Sequence, residues 1–157
     1  SEAVITMRDP DNPANTVNGL AYAYYLGSWG KLPDFSGMTP TKTGTEDTFD
    51  ILTERTVADG YAFVFTGYID VPSDGVYTFY TTSDDGSMLY IGTQLVVNND
   101  GQHGPAEASG VIGLKTGKHA IRVPFMESGG GEFLEVHYDG PGIWRQLIPS
   151  SSLFRAQ

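Results

Sequence analysis

Apolar and polar positions alternate along most of this chain with a period of two. In "YTFYT", Tyr77, Phe79 and Thr81 fall on one side and Thr78 and Tyr80 on the other, as in a strand with one packed face and one wet face. Comparable short runs recur as "GLAYAYYLG", "YAFVFTGYIDV", "SMLYIGTQLVV", "HAIRVPFME" and "EFLEVHYDG". They are rich in β-branched and aromatic residues and are bounded by Gly, Pro, Asn or Asp, which predicts many short antiparallel strands in a sandwich or barrel. "VPSDGVY" reads as a tight connection with Asp74-Gly75 as its hairpin pair. Only "EDTFDILTERTVAD" offers helix, a turn or two or none, since β-branched Thr48, Thr53, Thr56 and Val57 weaken it. Asn98–Gly110 ("NNDGQHGPAEASG") and Glu127–Glu132 ("ESGGGE") read as long functional loops.

Composition narrows the function. With 157 residues, 39% of them hydrophobic, the chain suits one domain over 1–157. Nine basic residues against 19 acidic ones give a net charge of −10. No basic stripe is interleaved with aromatics, which argues against nucleic acid and anionic membranes as partners. No apolar run is long enough to cross a bilayer, and no signal segment is legible at the amino terminus. The absence of cysteine removes thiol catalysis, disulfides and thiolate metal sites. An acidic, thiol-free chain is suited to hard cations, or to neutral ligands held through them.

That directs attention to Asp84-Asp85-Gly86 in "TTSDDGSMLYIGTQ". Successive side chains on a strand point to opposite faces, so adjacent carboxylates do not share a task on extended backbone. One reading is a solvated Asp-Gly turn between strands. The other is that the backbone bends, by a cis linkage that brings the Cα atoms to about 2.9 Å, and both carboxylates face one calcium ion.

The run "FTGYIDVPSDGVYTFYTTSDDGSMLYIGTQLVVNNDGQHG" resembles the signature of the protective-antigen-type (PA-14) domain family: Gly-x-Tyr-x-Phe, then Ser-Asp-Asp-Gly-Ser, then Leu-Tyr-Ile-Gly. "GLAYAYYLGSWGKLPDF" and "GLKTGKHAIRVPFMESGGGEFLEVHY" extend the resemblance to roughly Gly19–Arg155. It implies an all-β antiparallel β-sandwich. Keeping both aspartates is similar to the calcium-dependent lectin branch, especially the lectin modules of long RTX adhesins of marine bacteria. By that resemblance the Asp84–Asp85 peptide is cis and both side chains bind Ca2+. Gly130 and Gly131 (through carbonyls) and Glu132 complete the ion from a second loop. Vicinal hydroxyls of a neutral sugar then join the shell beside Asp84 and Asp85. Gln102 and His103 are the candidates for further sugar hydrogen bonds. The implied role is a monomeric module binding cell-surface glycans outside a bacterium, in adhesion or biofilm formation.

Other candidates carry less. "NNDG" (Asn98, Asn99, Asp100) is first a turn, and Asp9 and Asp11 in "RDPDNP" lack the glycine and terminal acid of an EF-hand loop. Trp29 and Trp144 are sugar platforms or packing residues. His119 and His137 lie on strands without zinc-site spacing. Paired carboxylates also occur in glycoside hydrolases, but a calcium beside Asp84 and Asp85 lowers their pKa, the opposite of what an acid catalyst needs. A non-catalytic binder is therefore expected. The alternatives are an accessory domain of a glycoside hydrolase and a structural spacer.

Overall fold

The computed structural model describes residues 4–157; residues 1–3 of the expected 1–157 domain lie outside the described residues. The strands in chain order are β1 (Met7–Arg8), β2 (Thr16–Asn18), β3 (Leu20–Leu26), β4 (Lys42–Glu46), β5 (Tyr61–Val71), β6 (Gly75–Asp84) and β7 (Ser87–Ile91). They continue with β8 (Gln94–Asn99), β9 (Ala106–Leu114), β10 (Gly117–Glu127), β11 (Phe133–Gly140), β12 (Ile143–Leu147) and β13 (Leu153–Ala156). Two sheets face each other. One has the order β1-β9-β6-β11-β12; the other runs β2-β13-β5-β10-β7-β8, with β3 also on β5 and β4 on β3. Pairing is antiparallel except for β1 beside β9. The expected all-β sandwich is what the chain forms.

Alternation builds the core. On β6 the side chains of Tyr77, Phe79, Thr81 and Ser83 are buried, and those of Thr78, Tyr80, Thr82 and Asp84 are not fully so. Opposite lie Phe63 and Phe65 of β5 and Val123 and Phe125 of β10, all fully buried. Each such side chain contributes about 1.5–3 kcal/mol by leaving water. Phe63 and Phe65 sit on one face two residues apart, ring centroids 5.4 Å, with Tyr61 edge-on to Phe63 at 5.8 Å.

Three local expectations change. "VPSDGVY" is no hairpin: β5 and β6 belong to different sheets, so the connection crosses the sandwich. It is pinned by Thr116 N donating to Asp74 Oδ1 at 2.7 Å and Tyr77 OH donating to Ser73 O at 2.6 Å. "SMLYIGTQLVV" is itself a hairpin, β7 and β8 turning at Gly92, whose φ of +59° needs glycine. The segment Asp47–Gly60 forms bends rather than helix. Phe49 and Ile51 are drawn into the core, and Asp50 Oδ1 accepts from Leu52 N (2.8 Å) and Thr53 N (3.1 Å), a local turn that competes with helix. The only helical pieces among the described residues are 3-10 turns at Phe35–Gly37 and Ser150–Ser152. No helix among them is long and apolar enough to cross a membrane.

Candidate functional site

Pairing register collects the loops of interest at one end of the sandwich. Asp84 ends β6 opposite Phe133, which starts β11. Ser83 lies opposite Ala106, Ser87 opposite Asn99, and Glu127 opposite Tyr61. The β6–β7, β8–β9 and β10–β11 connections therefore meet. The β8–β9 loop is only Asp100–Pro105, shorter than the Asn98–Gly110 expected, because Ala106–Gly110 continue as strand against β6.

The Asp84–Asp85 peptide is cis, and the alternation of β6 stops there: Ser83, Asp85, Gly86 and Ser87 are all buried. Asp85 is held on every side. Its Oδ1 accepts from His103 N at 3.2 Å and its Oδ2 from Ser128 N at 2.8 Å. Its own N–H donates to Met126 O at 3.2 Å, and Gly86 O accepts from Met126 N at 2.9 Å. One carboxylate thus ties the β8–β9 loop to the β10–β11 loop. Gly86 has to be glycine: a Cβ there would lie 2.8 Å from both the N and the O of Gly101.

Asp84 is used differently. Its carboxylate accepts no hydrogen bond from the described residues, and Oδ2 lies 3.4 Å from where a Cβ on Gly131 would stand. Burial, then the charge of Asp85, pushes its carboxyl above the ordinary range; the nearby Glu132 adds to this and His103 opposes it. The site consists of a fixed carboxylate beside an uncompensated one.

Beneath it is a buried polar platform. Asn99 Nδ2 donates to Ala106 O (2.9 Å), Thr81 O (3.2 Å) and Ser83 Oγ (3.2 Å), while Ser83 and Ser87 hydroxyls meet at 2.7 Å. A fully satisfied network of this kind fixes one backbone arrangement. Above Asn99, both ring nitrogens of His103 face carbonyls: Nε2 that of Asn99 (2.9 Å), Nδ1 that of Gly104 (2.8 Å). Only the imidazolium can donate to both. Burial pulls its pKa down, but these carbonyls and the charges of Asp85 and Asp84 raise it overall.

The remaining candidates are close by with other commitments. Glu132 is paired with Arg55. Gln102 Nε2 donates to Trp29 O at 3.0 Å, and the same carbonyl accepts from Ser128 Oγ at 2.8 Å. Gly130 occupies φ +79°, the left-handed region. Asp100 is a clamp: its Oδ1 accepts from Leu32 N (2.7 Å) and Gly101 N (2.8 Å). Trp29 is half-buried against Phe35, whereas Trp144 is 90% exposed. Ser128 and Arg55 carry no signal in the sequence, and Asn99, read first as part of a turn, ends β8 and donates into the platform. The serines flanking the acids in "SDDGS" were the available signal for the platform, but backbone donors leave none.

No three Asp, Glu or His side chains converge on one point among the described residues. A cation at Asp84 and Asp85 must therefore complete its shell with backbone oxygens and exogenous ligands. An oxygen-only, partly open donor set of this kind fits calcium, with its six to eight flexible ligands, and not tetrahedral zinc. By contrast, a groove of about 440 Å³ lined by Thr66, Tyr68, Arg122 and Arg155 has no acid in its lining and offers a cation nothing.

Comparison with known proteins agrees with this architecture. Anti-sigma-I factor RsgI3 of Acetivibrio thermocellus is 28% identical over 145 residues, 90% of this chain and 22% of that protein. A solved anti-sigma factor domain-containing protein superimposes with a TM-score of 0.75 at 26% identity, over 91% of this chain and 49% of that one. This chain spans half or less of the length of both. The PA14 sugar-binding domain from an RTX adhesin superimposes with a TM-score of 0.71 at 19% identity, over 89% of this chain and 99% of that domain, which shows the fold. The family model for the PA14 domain matches residues 16–152, from β2 through β12 with the three loops, and the chain belongs to the PA14 domain family.

Proposed function

We propose that this chain is a non-catalytic carbohydrate-binding module that takes up sugar through a calcium ion held by Asp84 and Asp85. The observation that carries the reading is the contrast between two adjacent carboxylates. Asp85 is spent on organising two loops, while Asp84, at their junction, accepts no hydrogen bond from the described residues. When bound there, calcium supplies open coordination positions that two vicinal hydroxyls of a pyranose can fill. Asp84 and Asp85 accept the hydroxyl protons in charge-assisted hydrogen bonds. Gly130 and Gly131 present backbone oxygens from the opposite loop, and the Ser128 N–H on Asp85 holds that loop in place. Glu132, turned to Arg55, neutralises the rim rather than adding charge to the ion. Gln102 and His103, anchored to backbone carbonyls, shape the wall beside the sugar, and the Gln102 amide oxygen is left to receive a hydroxyl.

A cation beside Asp84 draws its pKa down and suits binding, not acid catalysis. Few atoms of one monosaccharide are engaged, so single-site affinity falls around the millimolar range, and avidity comes from repeated display. We place the module outside the cell, on a longer protein. The sugar-binding description of the RTX adhesin domain supports an adhesin. The higher identity to anti-sigma factor proteins favours a second context, in which the same site feeds glycan occupancy into a signalling protein.

A glycan array in millimolar calcium tests the shared claim, with excess chelator and Asp84→Asn as controls. Binding that disappears in both supports the calcium-bridged site. Binding that survives both contradicts it.

A further inference from the structure

Glu127 closes β10 on the core-facing side, following Ile121, Val123 and Phe125 on the same face. It is fully buried, and neither carboxylate oxygen has a hydrogen-bond partner among the described residues. A buried, unpartnered carboxylate is among the most costly features a fold can carry. Its neighbour is another acid: the carboxyl of Asp59, on the exposed segment before β5, stands against it. Two ionised carboxylates cannot hydrogen-bond each other; they need a shared proton or a cation between them. The Gly129 N–H lies near enough to favour the charge without reaching hydrogen-bond geometry. Among the described residues no lysine, arginine or histidine pairs with either acid, and Arg55, four residues before Asp59, is engaged by Glu132. Directly across the ladder from Glu127 is Tyr61, whose buried hydroxyl is also unpartnered.

We propose that Asp59 and Glu127 form a second cation site, holding a hard divalent ion between their carboxylates behind the rim that carries Asp84 and Asp85. The two sites are separate, because no three of these acids converge on one point. The oxygen-only donors and the two negative charges select calcium over soft metals and over monovalent ions. In the absence of an ion, burial, followed by the nearness of Asp59 and then Asp85, pushes the Glu127 pKa up to about 7, as an uncompensated charge requires. The ion would also tie the Asp47–Gly60 segment to the root of the Ser128–Glu132 loop, since Gly60 N already donates to Glu127 O at 3.0 Å.

This inference stands apart from the Asp84–Asp85 reading, and counting ions separates them. Native mass spectrometry and calcium titration are applied to the wild type, Asp84→Asn/Asp85→Asn, Glu127→Gln and Asp59→Asn, each checked for its β-sheet circular dichroism. We expect two ions in the wild type and one in each variant. One ion kept by Asp84→Asn/Asp85→Asn and lost on adding Asp59→Asn assigns the second site even if the first fails. Asp59 is exposed, so its variant remains informative should Glu127→Gln not fold. An ion count unchanged in both Asp59→Asn and Glu127→Gln overturns the proposal. So does a Glu127→Gln protein that is more stable at neutral pH with the same count, which would assign the pair a shared proton.

Discussion

Acidic side chains gather at both ends of this sandwich, and the two ends treat them in opposite ways. At the end away from the candidate site, Asp11 takes a two-pronged contact from Arg8 (3.0 and 3.2 Å) and a backbone N–H from Ala120 at 2.8 Å, and Asp9 meets Lys115 at 2.9 Å. Burial alone would raise Asp11, but the Arg8 and Ala120 bonds hold it below its ordinary range; Asp9 is lowered chiefly by Lys115. Next to them His119 is buried and complete, with Nδ1 at 2.8 Å from Arg8 and Nε2 at 2.6 Å from Lys115 O, and burial lowers its pKa. At the loop end Asp84 and Glu127 are raised by burial and by their acidic neighbours. In the sequence, Asp84 and Asp85 read as candidate ion ligands, and Asp9 and Asp11 do not. What separates the two ends is whether a basic side chain bonds the acid directly: Arg8 and Lys115 do so for Asp11 and Asp9, and among the described residues none does so for Asp84 or Glu127.

The comparison breaks most visibly if the loop end stops binding. Asp85→Ala should abolish calcium and sugar binding together. It should also cost about 1–3 kcal/mol in chemical denaturation, because the His103 and Ser128 N–H groups lose their acceptor in a buried setting. Asp84→Asn should lose calcium binding with little change in stability, since no internal hydrogen bond rests on its carboxylate. Next in size is Gly86→Ala. Its methyl would press on the backbone of Gly101, 2.8 Å away, and should cost about 1–3 kcal/mol while loosening the Asp100–Pro105 loop and weakening calcium affinity.

The pH dependence sharpens the contrast. Glu127 titrates near 4.5 when unfolded and near 7 in the folded chain, so the native state holds the proton more tightly. Its contribution is fully present below about pH 4.5 and is lost as pH rises through about 7. In chelator, the melting temperature should fall over that window at about 2–4 °C per kcal/mol lost. Glu127→Gln should flatten the slope, and millimolar calcium should oppose it in the wild type. The smallest effect is expected at the opposite end. Asp9 is 81% exposed by side chain, and Asp9→Asn should leave the melting temperature nearly unchanged and calcium and sugar binding intact.

Much of this was legible in the chain. Period-two alternation in "YTFYT" placed Tyr77 and Phe79 inside, and "SDDGS" marked the cis Asp84–Asp85 linkage with its flanking buried serines. The hairpin expected at Asp74-Gly75 failed because a turn motif reports local geometry, not which sheet each flanking strand joins. The helix offered by "EDTFDILTERTVAD" lost to burial of Phe49 and Ile51 and to the Asp50 turn. Glu132 read as a candidate ion ligand, and its pairing with Arg55, 77 residues distant in sequence, was not legible in the chain. Ser128 was invisible because it acts through its backbone N–H. Asp59 and Glu127 stand 68 positions apart in the numbering, and only the fold makes neighbours of them.

If Asp84 and Asp85 hold a calcium ion on which sugar binding depends, the two binding events should be inseparable by calorimetry. The most direct measurement is calorimetric titration of calcium into the wild type and Asp84→Asn, each followed by titration of a sugar with vicinal hydroxyls identified on the array. The account predicts that Asp84→Asn binds one calcium fewer, and that sugar heat appears only in the calcium-loaded wild type. Equal calcium stoichiometry in the two proteins, or sugar heat that persists in chelator, would contradict it.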